Sequence, residues 1–201
     1  LCGYPEQLEF LSGGTRQSAA DFKSTGGVAE YRCVLTNAAT ATADFYLENS
    51  CADGVPMWDT GAPNLHLLPE NYLSKPSDPY NKLEPVDGSA AAIAAQGLIR
   101  LGNYLNAAGD KKSAARYRQA GLSVARTLFS EPYLSTDPKH QGLLLHSVYH
   151  RPNGWDYIAP GQSVPNGESS MWGDYHLREL ALLILREARG EHYLTFFDST
   201  K

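Results

Sequence analysis

Residues 87–128 carry the strongest constraint on the fold, because two runs of helical apolar periodicity are separated there by only Ala107-Ala108-Gly109-Asp110. The first run follows Asp87-Gly88-Ser89 and places Ala90, Ile93, Ala94, Gly97, Leu98, Leu101, Tyr104 and Leu105 on one face. Asp and Ser side-chain oxygens at the start of that run can accept the free N–H groups of a first helical turn. Gly109 tolerates the left-handed conformation that ends a helix, and Asp110 is a fresh cap. Ala114, Tyr117, Ala120, Val124 and Leu128 then repeat the period. A linker this short turns the second helix back along the first, which predicts an antiparallel αα-hairpin.

Two further stripes have the same period: Tyr31, Val34, Leu35, Ala38 and Phe45 upstream, and Leu177, Leu180, Ala181, Ile184 and Ala188 downstream. No segment reads as a firm strand. Leu143-Leu144-Leu145-His146-Ser147-Val148-Tyr149 has too few β-branched residues and is expected to be an extended connector. The expected class is therefore all-α. Gly13-Gly14 and Gly26-Gly27 cut the first 28 residues into pieces too short to hold a helix without tertiary support, so residues 1–28 are left unassigned beside a helical unit over 29–201.

Residues 49–88 and 131–172 are long for connections inside a compact domain, and such loops are usually functional or disordered. The first carries Pro56, Pro63, Pro69, Pro76, Pro79 and Pro85. The second is dense in Trp, Tyr, His, Asn and Gly, which is not the composition of a disordered segment. Function is sought there.

Composition narrows the classes. A formal charge of -5 with scattered Lys and Arg gives no electrostatic footprint for nucleic acid or an anionic membrane. No apolar run approaches the about 18 residues of a membrane span, so a soluble chain is expected. Cys2, Cys33 and Cys51 lack Cys-x-x-Cys spacing; they read as small apolar side chains, with one disulfide plus a free thiol as the alternative. The compartment stays open. The chain begins Leu1-Cys2-Gly3 without an initiator Met or a leader, so a processed, cropped or partial product is expected.

The candidate substrate-binding residues are His146, His150, Arg151, Asn153, Trp155, Glu168, Trp172 and His176. A pyranose offers an apolar face that stacks on Trp and a rim of hydroxyls that need paired donors and acceptors, while Arg or His suits a uronate carboxylate. Singly, each is as readily a core residue with a satisfied polar tip. Trp172 and His176, four apart, share a helical face, and Asp174 is placed to cap the helix start. His146 and His150 have the spacing of a zinc pair, but Pro152 and Asn153-Gly154 follow at once, and no metal is expected. There is no Gly-x-Ser-x-Gly elbow and no phosphate-cradling loop. Glycoside chemistry needs acids flanking the reacting bond. The candidates are Asp59, Asp87, Asp156, Glu168 and Asp174, with capping the stronger reading of Asp87. The sequence does not say which of them converge.

Four segments follow one another in the order and spacing of landmarks in glycoside hydrolase family 88. They are Asp53-Gly54-Val55-Pro56-Met57-Trp58-Asp59, Asp87-Gly88-Ser89-Ala90-Ala91-Ala92-Ile93, Gly142-Leu143-Leu144-Leu145-His146-Ser147 and Trp172-Gly173-Asp174-Tyr175-His176-Leu177-Arg178-Glu179-Leu180. The chain resembles that family, the unsaturated glucuronyl hydrolases, over about residues 38–188. The resemblance implies an all-α (α/α)6 toroid of the six-hairpin glycosidase type, here about half of the barrel. It also implies an enzyme that removes the unsaturated uronic acid left at a non-reducing end by polysaccharide lyases, with no cofactor. In that family an Asp protonates the C4=C5 double bond and activates the water that adds at C5; the resulting hemiketal opens and the glycosidic bond is lost. The family's two key aspartates precede the segment that resembles this chain, in His-Asp-x-Gly-Phe and Ile-Asp-x-x-Met-Asn motifs, and neither motif occurs here. The Arg-Gly-Gln-Ala-Trp segment is absent as well.

The expectation is thus the C-terminal half of such a hydrolase, inactive alone, acting on an unsaturated uronyl oligosaccharide and joined by a missing N-terminal half or by self-association. The family's loop corresponding to Tyr149–Trp155 implies a contribution to substrate binding. Family members that read sulfate do so with Ser and Lys in this loop, which here holds His150, Asn153 and Trp155. The alternatives are a carbohydrate-binding relative without catalysis, and a helical-repeat binding module suggested by the hairpin over residues 103–129.

Overall fold

A computed structural model describes residues 3–13, 28–193 and 195. Five α-helices lie among them: α1 (Gly3–Gly13), α2 (Val28–Glu48), α3 (Gly88–Ala108), α4 (Lys111–Leu128) and α5 (Met171–Ala188). Extended pairing among the described residues is limited to isolated bridges, one of them Leu134 with Leu144 at the connector. The all-α expectation agrees with this architecture.

The hairpin forms where its caps place it. Asp87 accepts from the Ser89 and Ala90 amides at the start of α3, and Gly109, at φ 97°, ends the helix in the left-handed region. Asp110 accepts from Ser113 N at 3.0 Å to open α4. Two glycines set how closely these helices pack. A Cβ on Gly102 would lie 2.9 Å from Ala114 O, and one on Gly121 would lie 2.9 Å from Ala95 O.

Helix α3 is central. Burial extends around it, from Ala91 and Ala92 to Leu98, Ile99 and Arg100, rather than along the single stripe expected from its periodicity. The reason is that α1, α2, α4 and α5 all pack against it. Trp172 bonds Ser89, His176 bonds Gln96 and Glu187 bonds Asn103, so α3 and α5 run parallel, with both N-termini at one end. On the other side, Asp44 of α2 accepts from Arg116 and Tyr117 of α4.

The expected stripe on α2 needs correction. Of its members Leu35 is buried, but Tyr31, Val34 and Phe45 are at least half exposed, and the other buried positions are Ala39 and Ala43. The face that meets α3 and α4 is the one whose small side chains permit close approach. Helix α1 has the tertiary support that a short segment requires: Leu8 is fully buried, and Glu6 and Glu9 lie 3.2 and 3.6 Å from the Arg100 guanidinium. Cys33 and Cys51 are free thiols, Cys51 being pushed up to about 11 by burial; Cys2 lies outside the described residues.

The long connections are ordered because they contribute to the core. Val55, Met57 and Val86 from the first, and Tyr133 and Leu144 from the second, pack with Ala95, Val124, Leu128 and Leu180. Polar ties add to this packing. The buried Glu84 carboxylate accepts from Trp58 Nε1 at 2.7 Å and from Asn64 N at 2.9 Å. Ser77 Oγ donates to Asp53 at 2.6 Å, and the Ser77 and Tyr133 hydroxyls link the two loops.

Candidate functional site

The second long connection lies over the end where α3 and α5 begin. Gly88 N donates to His146 O at 2.8 Å, and a Cβ on Gly88 would lie 2.8 Å from Leu145 O, so the connector runs close against the first turn of α3. Asp174 holds it from the other side, its carboxylate accepting from Leu143 N and Leu144 N at 2.8–3.0 Å. The expected capping role of Asp174 is therefore corrected. Ser170 caps α5, through Gly173 N, and Asp174 fixes the connector instead.

Beyond the connector the chain presents a row of rings. The Trp172 and Tyr149 centroids are 5.0 Å apart, those of Tyr149 and Trp155 are 5.7 Å apart, and those of Trp155 and His150 are 4.9 Å apart. Tyr149 is 52% and Trp155 61% exposed, and because these rings are contiguous they form a patch rather than scattered surface apolar groups. Trp172 is half-buried, with its indole N–H on Ser89 Oγ at 3.2 Å.

The loop carrying this shelf is shaped by Asp156, whose two oxygens accept from Tyr149 N at 2.5 Å and His150 N at 2.9 Å. His150 Nδ1 in turn accepts from Asn153 N at 3.1 Å, which leaves the proton of the neutral ring on Nε2. Arg151 and Asn153 occupy the same short turn. No hydrogen bond or ion pair joins the Arg151 guanidinium to another described residue.

Of the residues singled out from the sequence, His150, Trp155 and Trp172 meet in the row, with Arg151 and Asn153 beside His150 on its turn. The other three lie elsewhere. His146 is buried at φ 58°, edge-on to Tyr80 and Tyr133 at 5.3 and 5.6 Å, and burial lowers its pKa. His176 is held in the α3–α5 interface by Gln96, and burial lowers its pKa as well. Glu168 is exposed beside His140, at 3.4 Å. Tyr149, the ring that joins the two tryptophans, was not among the chosen residues. Its signal lay in the family resemblance, which marked the Tyr149–Trp155 loop as a contributor to substrate binding.

The acids sort by what they hold. Asp87, Asp156 and Asp174 accept backbone amides, and Asp59 closes a turn by accepting from Gly61 N at 2.6 Å. Glu168 and Asp59 are the exposed members of the five, the Glu168 side chain at 64%.

Among solved structures, the chain is similar to the crystal structure of an unsaturated glucuronyl hydrolase from Bacillus sp. GL1, responsible for the degradation of glycosaminoglycan. The identity is 22% and the TM-score 0.59, over 94% of this chain and 37% of that one. An aspartate-to-asparagine UGL with dGlcA-Glc-Rha-Glc matches with the same identity, TM-score and coverage. An aspartate-to-asparagine mutant of the Streptococcus agalactiae unsaturated glucuronyl hydrolase matches at 23% identity and TM-score 0.50, over 89% of this chain and 38% of that one. The chain thus spans little more than a third of the length of these structures, and the likeness places its fold in the α/α-toroid class. No family model and no curated protein matches the chain.

Proposed function

We propose that this chain is part of a glycoside hydrolase of the unsaturated glucuronyl hydrolase type, supplying a sugar-binding wall and not the catalytic acid. The observation that carries this reading is the row Trp172–Tyr149–Trp155–His150, exposed at Tyr149 and Trp155, at the end where the N-termini of α3 and α5 meet. Flat rings with Arg151 on the adjoining turn suit a pyranose with a carboxylate. The substrate would be an unsaturated uronyl oligosaccharide, cleaved by hydration of its C4=C5 bond. No cofactor enters that chemistry.

The acids favour the second half of the reading. A catalytic carboxyl must be free to deliver a proton, whereas Asp87, Asp156 and Asp174 are committed to backbone amides that fix the loop. The partner would be the remaining hairpins of the toroid, or a second copy. Apolar side chains for such a contact are exposed on α2 at Tyr31, Val34 and Phe45 and on α5 at Met171, Tyr175 and Leu185. A carbohydrate-binding relative without catalysis is the second reading, favoured by the same shelf. The repeat-module reading loses support, because the long connections contribute core side chains between the helices.

Incubation with an unsaturated uronyl disaccharide, following the ultraviolet absorbance of the conjugated double bond, tests the proposal. The chain alone is expected to bind without turnover and to gain activity when extended with the hairpins it lacks. Turnover by the chain alone would overturn the assignment of the acid elsewhere and turn attention to Asp59 and Glu168. Binding that never becomes turnover, even after extension, would favour the non-catalytic relative.

A further inference from the structure

Asp87 makes more bonds than a helix cap needs. Its Oδ1 accepts from Ser89 N at 2.9 Å and Ala90 N at 3.2 Å, which are the ordinary capping bonds. The same oxygen accepts from Ser89 Oγ at 2.6 Å and, more distantly, from Val148 N at 3.4 Å. These two extra bonds lead to opposite ends of one ring pair. Val148 immediately precedes Tyr149, and Ser89 Oγ is the acceptor for Trp172 Nε1 at 3.2 Å.

The direction of this relay is set by donor chemistry. An indole N–H donates only, and an ionised carboxylate accepts only. The single Ser89 proton therefore goes to Asp87, which leaves a hydroxyl lone pair turned to Trp172. Ser89 is 2% exposed, so water cannot readily replace either contact. Gly173, next to Trp172, packs closely, since a Cβ there would lie 2.7 Å from Ser147 Oγ and 2.9 Å from Ser170 Oγ. The helix turn that carries the indole is thereby held against the same elements.

We propose that Asp87 is a positioning residue for the aromatic shelf, holding Tyr149 through the Val148 backbone and Trp172 through Ser89. The role in ligand binding rests on the shelf being the sugar site; the ring positioning does not. Its separation from capping lies in two variants. Asp87→Ser keeps a competent cap on α3 but is too short to serve Val148 and Ser89 Oγ together. Ser89→Ala leaves the carboxylate on both backbone amides and removes only the hydroxyl.

The test is nuclear magnetic resonance of the full 201-residue chain, whose three tryptophans, Trp58, Trp155 and Trp172, give three indole N–H signals. Trp172→Phe assigns one of them, and Trp58, bonded to Glu84, is the internal control. Both variants are expected to shift the Trp172 signal and speed its hydrogen exchange about tenfold, with Trp58 unmoved. Affinity for an unsaturated uronyl disaccharide is expected to fall about fivefold in each. An unmoved Trp172 signal, with only a lower melting temperature, would overturn the proposal and leave Asp87 a cap. If the parent chain binds no disaccharide, the sugar reading fails, and the indole signal still decides the positioning role.

Discussion

The indole nitrogen of Trp58 donates to the carboxylate of Glu84 at 2.7 Å, across 26 residues of a connection with no helix longer than a single turn. Glu84 is fully buried and also accepts from both the backbone and the side-chain nitrogens of Asn64. Glu84→Ala would leave Trp58 Nε1 and Asn64 N without an acceptor and the Asn64 side chain with only the Leu83 carbonyl, and is expected to cost about 3 kcal/mol, read as a lower denaturant midpoint. Glu84→Gln retains one acceptor oxygen and is expected to lose roughly half as much. An unchanged midpoint in Glu84→Ala would mean that this connection is not held by its polar centre.

Acid should weaken the fold first through histidine. Burial lowers the pKa of both His146 and His176, so below about pH 6.5 the unfolded chain takes up protons that the folded chain resists. Stability is then lost as pH falls through that range. His140 works in the opposite direction, its pKa being raised chiefly by the Gly142 carbonyl, and it remains in every variant as a constant background. The informative substitution is His146→Asn, because φ at this position is 58° and Asn tolerates the left-handed region. Chemical unfolding at pH 7.5 and at pH 5.5 should show a smaller loss in the variant than in the parent.

The hairpin interface gives a prediction of opposite sign to helix propensity. Gly→Ala inside an exposed helix usually gains about 1 kcal/mol. At Gly102 and Gly121 the added methyl would meet backbone carbonyls at 2.9 Å, and backbone cannot move aside without separating α3 from α4. Each substitution is expected to destabilise by about 2 kcal/mol. Thermal melts decide it, and a raised melting temperature in either variant would refute the close packing.

Helix ends were legible in the sequence wherever the cap chemistry is local, as at Asp87, Gly109 and Asp110. Faces were less so. The α2 stripe chosen for hydrophobicity included Tyr31 and Phe45, yet beside Leu35 the buried positions are Ala39 and Ala43, because the spacing to α3 and α4 selects side chains by size. Composition marked the second connection as the place to look for a site. It could not show that Trp172 meets Tyr149, 23 residues away, while His176, one turn from Trp172, turns to Gln96. Pairings of that kind belong to the packing of α5 on α3, which no local pattern encodes.

Trp155 provides the most direct check on the shelf. At 61% exposure its ring contributes little to folding, so Trp155→Ala is expected to change stability by less than about 0.5 kcal/mol. If sugar stacks on it, the same substitution removes one ring face from the ligand and weakens disaccharide binding by about tenfold, or about 1.4 kcal/mol. Trp155→Phe should recover part of the loss, because a smaller ring still presents a face. Calorimetric titration of the three chains measures this, with a saturated uronyl disaccharide as a second ligand to separate stacking on the pyranose from recognition of the double bond. Affinity unaffected by Trp155→Ala would remove the exposed end of the row from the site and leave Tyr149 and Trp172 as its floor.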